Sequence, residues 1–211
     1  ISAVASSQYG GQSVDIRHLG KYLRRSMEKY RGHYTERYGE ILEPEVIERF
    51  VMDRTKDELK SGVQTIQYQI NTLMTTNGQS PFVTLFLNLD PEDEYIEENA
   101  MIIEEILRQR LEGIKNEKGV YVTPAFPKLI YVLDEHNALK GGKYDYITKL
   151  AVQCSAKRMY PDYISAKVMR ELKSGDVYPC MGCRSFPTVE DGQRNPDGSH
   201  KYYGRFNQGV V

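Results

Sequence analysis

Pro81-Phe82-Val83-Thr84-Leu85-Phe86-Leu87-Asn88-Leu89 is the stretch that decides the fold. Its apolar run is short, does not alternate with polar residues, and follows the turn pair Asn77-Gly78. A run of that kind reads as a strand buried on both faces, as in a parallel sheet or a barrel. Downstream, residues 91 to 117 return to helical spacing, with Ile96, Ile103, Ile106, Leu107 and Leu111 facing inward. Acidic residues crowd the start of that helix, where its dipole favours them. Leu129-Ile130-Tyr131-Val132-Leu133 reads as a second buried strand. Residues 144 to 159 predict a helix stopped by Tyr160-Pro161, and residues 165 to 172 a shorter one.

Upstream, Leu59, Val63, Ile66, Ile70 and Leu73 repeat with 4-3-4-3 spacing. That narrow seam suits a helix packed lengthwise on another, within the chain in the plain reading or across a dimer. Pro44 opens this region, with Val46, Ile47, Phe50 and Val51 on one side. Before it, Val14, Ile16, Leu19, Tyr22, Leu23, Met27 and Tyr30 fit a helical face, and Gly32 and Gly39 bracket a tyrosine-rich break. Residues 6 to 13 are polar and Gly-rich and read as a loop in which Ser13 caps the next helix. Residues 188 to 200 read as an exposed loop, and Gly209-Val210-Val211 as the opening of a strand. The succession of helix and strand predicts an α/β fold; periodicity does not choose between an open and a closed sheet.

The chain has 211 residues, enough for one good core. A net charge of -1 excludes a global basic field for a nucleic acid polymer or a membrane surface. Lys21, Arg24 and Arg25 read as a solvated helix face. No stretch approaches the roughly 18 apolar residues of a membrane span. Three cysteines, Cys154, Cys180 and Cys183, do not make a disulfide framework and suggest a reducing cytoplasm. A start at Ile1 and a stop at Val211 read as the ends of an internal piece.

Cys180-Met181-Gly182-Cys183 is the segment with chemistry in it. A zinc site needs about four ligands, and no second pair lies at knuckle spacing. A thioredoxin-like pair wants the motif at a helix N-terminus after a strand, whereas here it follows Tyr178-Pro179. A single catalytic thiol on a loop, with Gly182 allowing close approach of the backbone, and two ordinary cysteines in a tight turn both remain open. Cys154 sits among Leu150, Ala151 and Ala156 and reads as a core residue. His136 follows the second strand and reads as a solvated loop histidine unless that strand end faces a pocket.

Four strings occur in order: Ser6-Ser7-Gln8-Tyr9-Gly10-Gly11-Gln12-Ser13, then Val152-Gln153-Cys154-Ser155-Ala156-Lys157-Arg158-Met159-Tyr160-Pro161, then Met181-Gly182-Cys183-Arg184-Ser185, then Gly204-Arg205-Phe206-Asn207-Gln208-Gly209-Val210-Val211. Together they resemble the central catalytic region of the anaerobic, class III ribonucleoside-triphosphate reductases, over essentially the whole chain. The resemblance implies part of a ten-stranded α/β barrel with a cysteine-bearing finger loop, incomplete in this piece. Residues 1 to 211 would form one fragment of that barrel, without the N-terminal cone domain and the C-terminal glycyl-radical and zinc region.

By the same resemblance, Cys183 becomes the thiyl radical that abstracts the 3'-hydrogen of the ribonucleotide. Asn207 is a second catalytic candidate, placed to orient formate or a ribose hydroxyl. Ser7, Gly10, Gly11, Gln12, Ser13, Gly182 and Arg184 are the substrate-binding candidates, where backbone N–H groups and hydroxyls would meet phosphate or ribose; a helix-capping loop is the plainer reading of Gly10 to Ser13. No metal ligand is expected in this piece. The implied cofactors are a glycyl radical and zinc outside it, formate as reductant, and ATP or deoxynucleotide effectors. The implied partners are ribonucleoside triphosphates, a radical-SAM activating enzyme and a second copy, with the seam from 59 to 73 as the candidate dimer surface. Two rival functions stand beside this one: another glycyl-radical barrel enzyme, a lyase or dehydratase, or a non-catalytic nucleotide-binding or dimerisation module.

Overall fold

In the computed structural model the described residues are 12–74, 78, 80–173, 175, 177–180, 188–194 and 200–203. In chain order they form β1 (Gln12–Asp15), a 3-10 turn (Ile16–Leu19), α1 (Gly20–Tyr38), α2 (Pro44–Thr72), β2 (Val83–Leu87), α3 (Ile96–Glu112), β3 (Ile114–Lys115), β4 (Tyr121–Val122), β5 (Lys128–Leu133), α4 (Glu135–Ala138), α5 (Asp145–Arg158), β6 (Asp162–Ser165), α6 (Ala166–Leu172), β7 (Thr188–Arg194) and β8 (His200–Tyr203). The run that decides the fold becomes β2, and all five of its residues are buried. It lies inside a parallel sheet of spatial order β1-β2-β5-β6. The α/β expectation holds.

Side chains alternate across a strand, so the register sorts the sheet into two faces. Val14, Leu85 and Leu129 stand in one row, and Ser13, Thr84 and Lys128 in the row behind it. The first face carries the main core. There Leu85, Leu87, Leu129 and Tyr131 pack with Val63 and Ile70 of α2, Ile103 and Leu107 of α3, and Ile147 and Ala151 of α5. On the second face Phe86, Ile130 and Val132 meet Ala166 and Met169 of α6 and, from beyond it, Cys180.

Local chemistry explains the ends. Pro44 stands in the first turn of α2 after an extended Glu43, where its fixed φ and missing N–H do no harm. Gly113 ends α3 at φ +89, and a Cβ there would lie 2.7 Å from both Arg158 Nη2 and the Val122 carbonyl. Asp134 and Asn137 close a reciprocal capping box on α4. Arg110, 1% exposed, donates to the carbonyl oxygens of Pro124 (2.9 Å) and Pro127, and its guanidinium lies 5.3 Å from the Tyr160 ring centre. Burial pulls its pKa down to about 10. The group stays charged at neutral pH and ties the 113–127 connection to the core.

Several expectations give way. Ser13 is not a helix cap: it lies in β1, and Asp15 caps the turn that follows by accepting from the Arg17 N–H. The tyrosine-rich break is absent, because α1 runs through an exposed Gly32 to Tyr38. Of the stretch expected as a loop from 188 to 200, residues 188–194 form β7 and His200 opens β8. The seam faces inward: Val63 and Ile70 are buried in the main core, with Leu59 and Ile66 packed against it. The plain reading of the seam, packing within the chain, therefore holds. Of the basic cluster, Lys21 and Arg25 are exposed, while Arg24 is paired with Glu94 and Glu98 and stacks on Tyr95.

Candidate functional site

The second face of the sheet is where residues 177–180 come to rest. Val177 packs against the apolar cluster there, Tyr178 is 3% exposed and Cys180 is fully buried. The Ser13 hydroxyl donates to the Cys180 carbonyl at 2.6 Å, across 167 residues of sequence. The last residue of the first string is thus joined to Cys180, the residue just before the third. Ser13 and Gln12 are both buried in β1, and within the described residues no partner meets Gln12 Oε1 or the hydroxyl of Thr84, the neighbour of Ser13 in register.

The carboxyl ends of parallel strands are the usual place for ligands in α/β sheets. Here those ends carry an alternating arc of charge. Arg17 Nε and Nη2 donate to Asp15 Oδ2 at 2.9 and 2.7 Å, and Nη1 donates to Asp90 at 2.7 Å. Burial works against the Arg17 charge, but Asp15 and Asp90 outweigh it and hold its pKa above the ordinary value. Beyond β5, Arg170 grips both oxygens of Asp134. Burial alone would push the Asp134 carboxyl up; Arg170 and the Glu135 N–H keep it below the usual range. Asp134, and to a lesser extent Asp90, hold the Arg170 pKa above its ordinary value. The sequence reading missed these residues. For two of them a signal was present: Asp90 and Asp134 each stand just past an apolar run, whereas Asp15 follows the single apolar residue Val14.

Cys154 is buried in α5, as expected, and burial pushes its thiol up to about 11. His136 lies in α4, edge-on to Tyr144, with its Nε2 buried and unpartnered among the described residues. An apolar recess of about 210 Å³ opens on the helix side, lined by Leu19, Leu23, Leu59, Val63 and Ile102, with the sheet between it and Cys180. Among the described residues no group of three or more His, Cys, Asp or Glu could hold a metal ion, and no helix is long and apolar enough to cross a membrane. Ser7, Gly10, Gly11, Gly182, Cys183, Arg184 and Asn207 lie outside the described residues.

Fold and site together define an α/β protein whose parallel sheet is covered by three long helices on one face and by α6 and residues 177–180 on the other. The family model described as anaerobic ribonucleoside-triphosphate reductase matches residues 1–211, and the chain belongs to that family. Its curated relatives include the anaerobic ribonucleoside-triphosphate reductases of Escherichia coli, 35% identical over 100% of this chain and 28% of that protein, and of Enterobacteria phage T4, 34% identical over 99% of this chain and 33% of that protein. The chain therefore spans about three tenths of the length of these relatives.

Proposed function

We propose that this chain is part of the catalytic barrel of an anaerobic ribonucleoside-triphosphate reductase, and that Cys183 is its thiyl residue. The supporting observation is the docking of 177–180 on the second sheet face, three residues before Cys183. A thiol that is to carry a radical must be kept from bulk water on a backbone that reaches the substrate. A segment laid along the inner face of a curved sheet does this, and the four parallel strands would be part of the ten-stranded wall.

The reaction would run as follows. The Cys183 sulfur takes the hydrogen atom from C3' of the ribonucleotide and becomes a thiol, leaving the radical on the sugar. The 2'-hydroxyl departs as water with one added proton. A two-electron reductant of the formate or dithiol class is oxidised, and Cys183 returns the hydrogen atom to C3'. Ser13 and the strand ends would line the substrate side, and Gln12, Asn207, Arg184, Gly182, Ser7, Gly10 and Gly11 remain its candidate contacts. The glycyl radical, zinc, formate, effector nucleotides, activating enzyme and dimer partner belong to the proposal for the whole protein. The described residues offer no ligand set for zinc, and no step is assigned to it.

The test is Cys183→Ala in the full-length protein after anaerobic activation. The stored radical should appear in the electron paramagnetic resonance spectrum while no deoxynucleotide forms. Product at near wild-type rate would remove Cys183 from the mechanism.

A further inference from the structure

We propose that the apolar recess on the helix side of the sheet is a binding site for a small amphiphile, a flat apolar body the size of a bicyclic ring with an ammonium head that meets Glu58. The proposal does not depend on the reading of Cys183.

The recess has a volume of about 210 Å³. Its depth is apolar: Val14 and Leu85 of the sheet, Val63 of α2 and Ile106 of α3 line it, and all four are buried. An apolar cavity of about 150 Å³ takes a benzene, so this one has room for a fused pair of rings. Water there finds few polar partners, and an apolar body that displaces it gains the burial.

The mouth lies between α1 and α2, where Tyr22, Glu58 and Gly62 are exposed and Ser26 is half-buried. Glu58 is the one charged residue among the described lining residues. Its carboxylate accepts from the Ser26 hydroxyl at 3.2 Å and the Tyr30 hydroxyl at 2.7 Å, both neutral donors. A carboxylate has about four acceptor sites, so a cation can join these donors without displacing them. Lys21 and Arg25 stand 5.1 and 5.8 Å from the Tyr22 ring centre, but both are exposed and neither lines the recess. An apolar hole with a carboxylate at its edge has the polarity that an arylalkylammonium ion complements.

Gly62 points the same way. It lies within the long helix α2, where glycine weakens a helix. No packing demands it, because a Cβ there would meet nothing within 4 Å. A helical side chain leans over the turn before its own Cα, which from position 62 is the turn carrying Glu58 and Leu59. Both of these line the recess. A side chain at 62 would therefore lie across the mouth, and the glycine leaves it open.

The experiment uses the full-length protein and three probes: tryptamine, indole, which lacks the ammonium, and indole-3-propionate, which reverses the charge. Dissociation constants are read by calorimetry, with the melting temperature of each variant measured alongside. Tryptamine should bind, indole about 3- to 5-fold more weakly, and indole-3-propionate more weakly again, because the ion pair is at the surface. Glu58→Gln should bring tryptamine down to the level of indole and leave indole unchanged. Gly62→Leu should abolish binding of tryptamine and indole while the melting temperature stays at or above that of the wild type, since leucine is the better helix former. Lost binding in that variant is then not lost folding. Absence of binding by both tryptamine and indole at millimolar concentration overturns the proposal. Undiminished binding in Gly62→Leu places the probes elsewhere and overturns the site. A preference for tryptamine that is missing in the wild type, or that survives Glu58→Gln, overturns the ammonium head.

Discussion

The two faces of the parallel sheet are built to different standards. The first is covered by α2, α3 and α5 and holds the larger apolar cluster, with Ile103, Leu107, Leu129 and Ile147 fully buried. Among the described residues the second meets only a short helix and residues 177–180, and its row Ser13, Thr84, Lys128 is polar. Dispersion and burial scale with contact, so the first face supplies most of the stability. The second has less apolar area, and on it the Ser13 hydroxyl donates to the Cys180 carbonyl.

Deep truncation on the helix side should do the most damage. Leu107→Ala is expected to lose about 3 kcal/mol of unfolding free energy in chemical denaturation. A loss below ~1 kcal/mol would erase the difference between the faces. Next comes Arg110→Met, which strips two carbonyl oxygens of a charged donor and should cost about 2 to 3 kcal/mol. A neutral outcome would show that the 113–127 connection does not depend on it.

Ile130→Val, on the second face, is expected to cost only about 1 kcal/mol while speeding amide exchange over 177–180. If exchange there stays as in the wild type, the segment does not lean on this face. The smallest effect is electrostatic. The folded Asp134 pKa is held below its ordinary value, so its pairing stabilises at pH above that value and is lost as pH falls through the folded pKa. Arg170 is 40% exposed, and the contribution should stay under about 1 kcal/mol. The melting temperature of Asp134→Asn should lie below that of the wild type at neutral pH and converge with it in acid. A constant offset down to pH ~2 would assign the effect to packing instead.

Long periodic signals were legible in the sequence, and short or polar ones were not. The strand at 81 to 89 appears as β2, the one at 129 to 133 as β5, and the helix at 144 to 159 as α5. Each has enough apolar residues to reveal its period. Gln12-Ser13-Val14-Asp15 has a single apolar residue, and only burial against Val83-Thr84-Leu85-Phe86 makes it a strand. Asp162–Ser165 is as short, and is a strand because β5 lies beside it. For the site, the Cys180 segment was visible as chemistry, but its link to Ser13 was not. No local pattern encodes a contact between residues so far apart. Gly32 misled for the opposite reason: an exposed helical glycine lowers propensity by about 1 kcal/mol, which the packing of α1 absorbs.

The contact from Ser13 to Cys180 also has a place in time. On the ribosome, β1 is complete long before Cys180 is added. At typical rates of synthesis the 167 intervening residues take roughly ten to thirty seconds. Every strand and helix of the parallel sheet precedes residue 177 in the chain, so the seating of 177–180 is the last step by which the second face is covered.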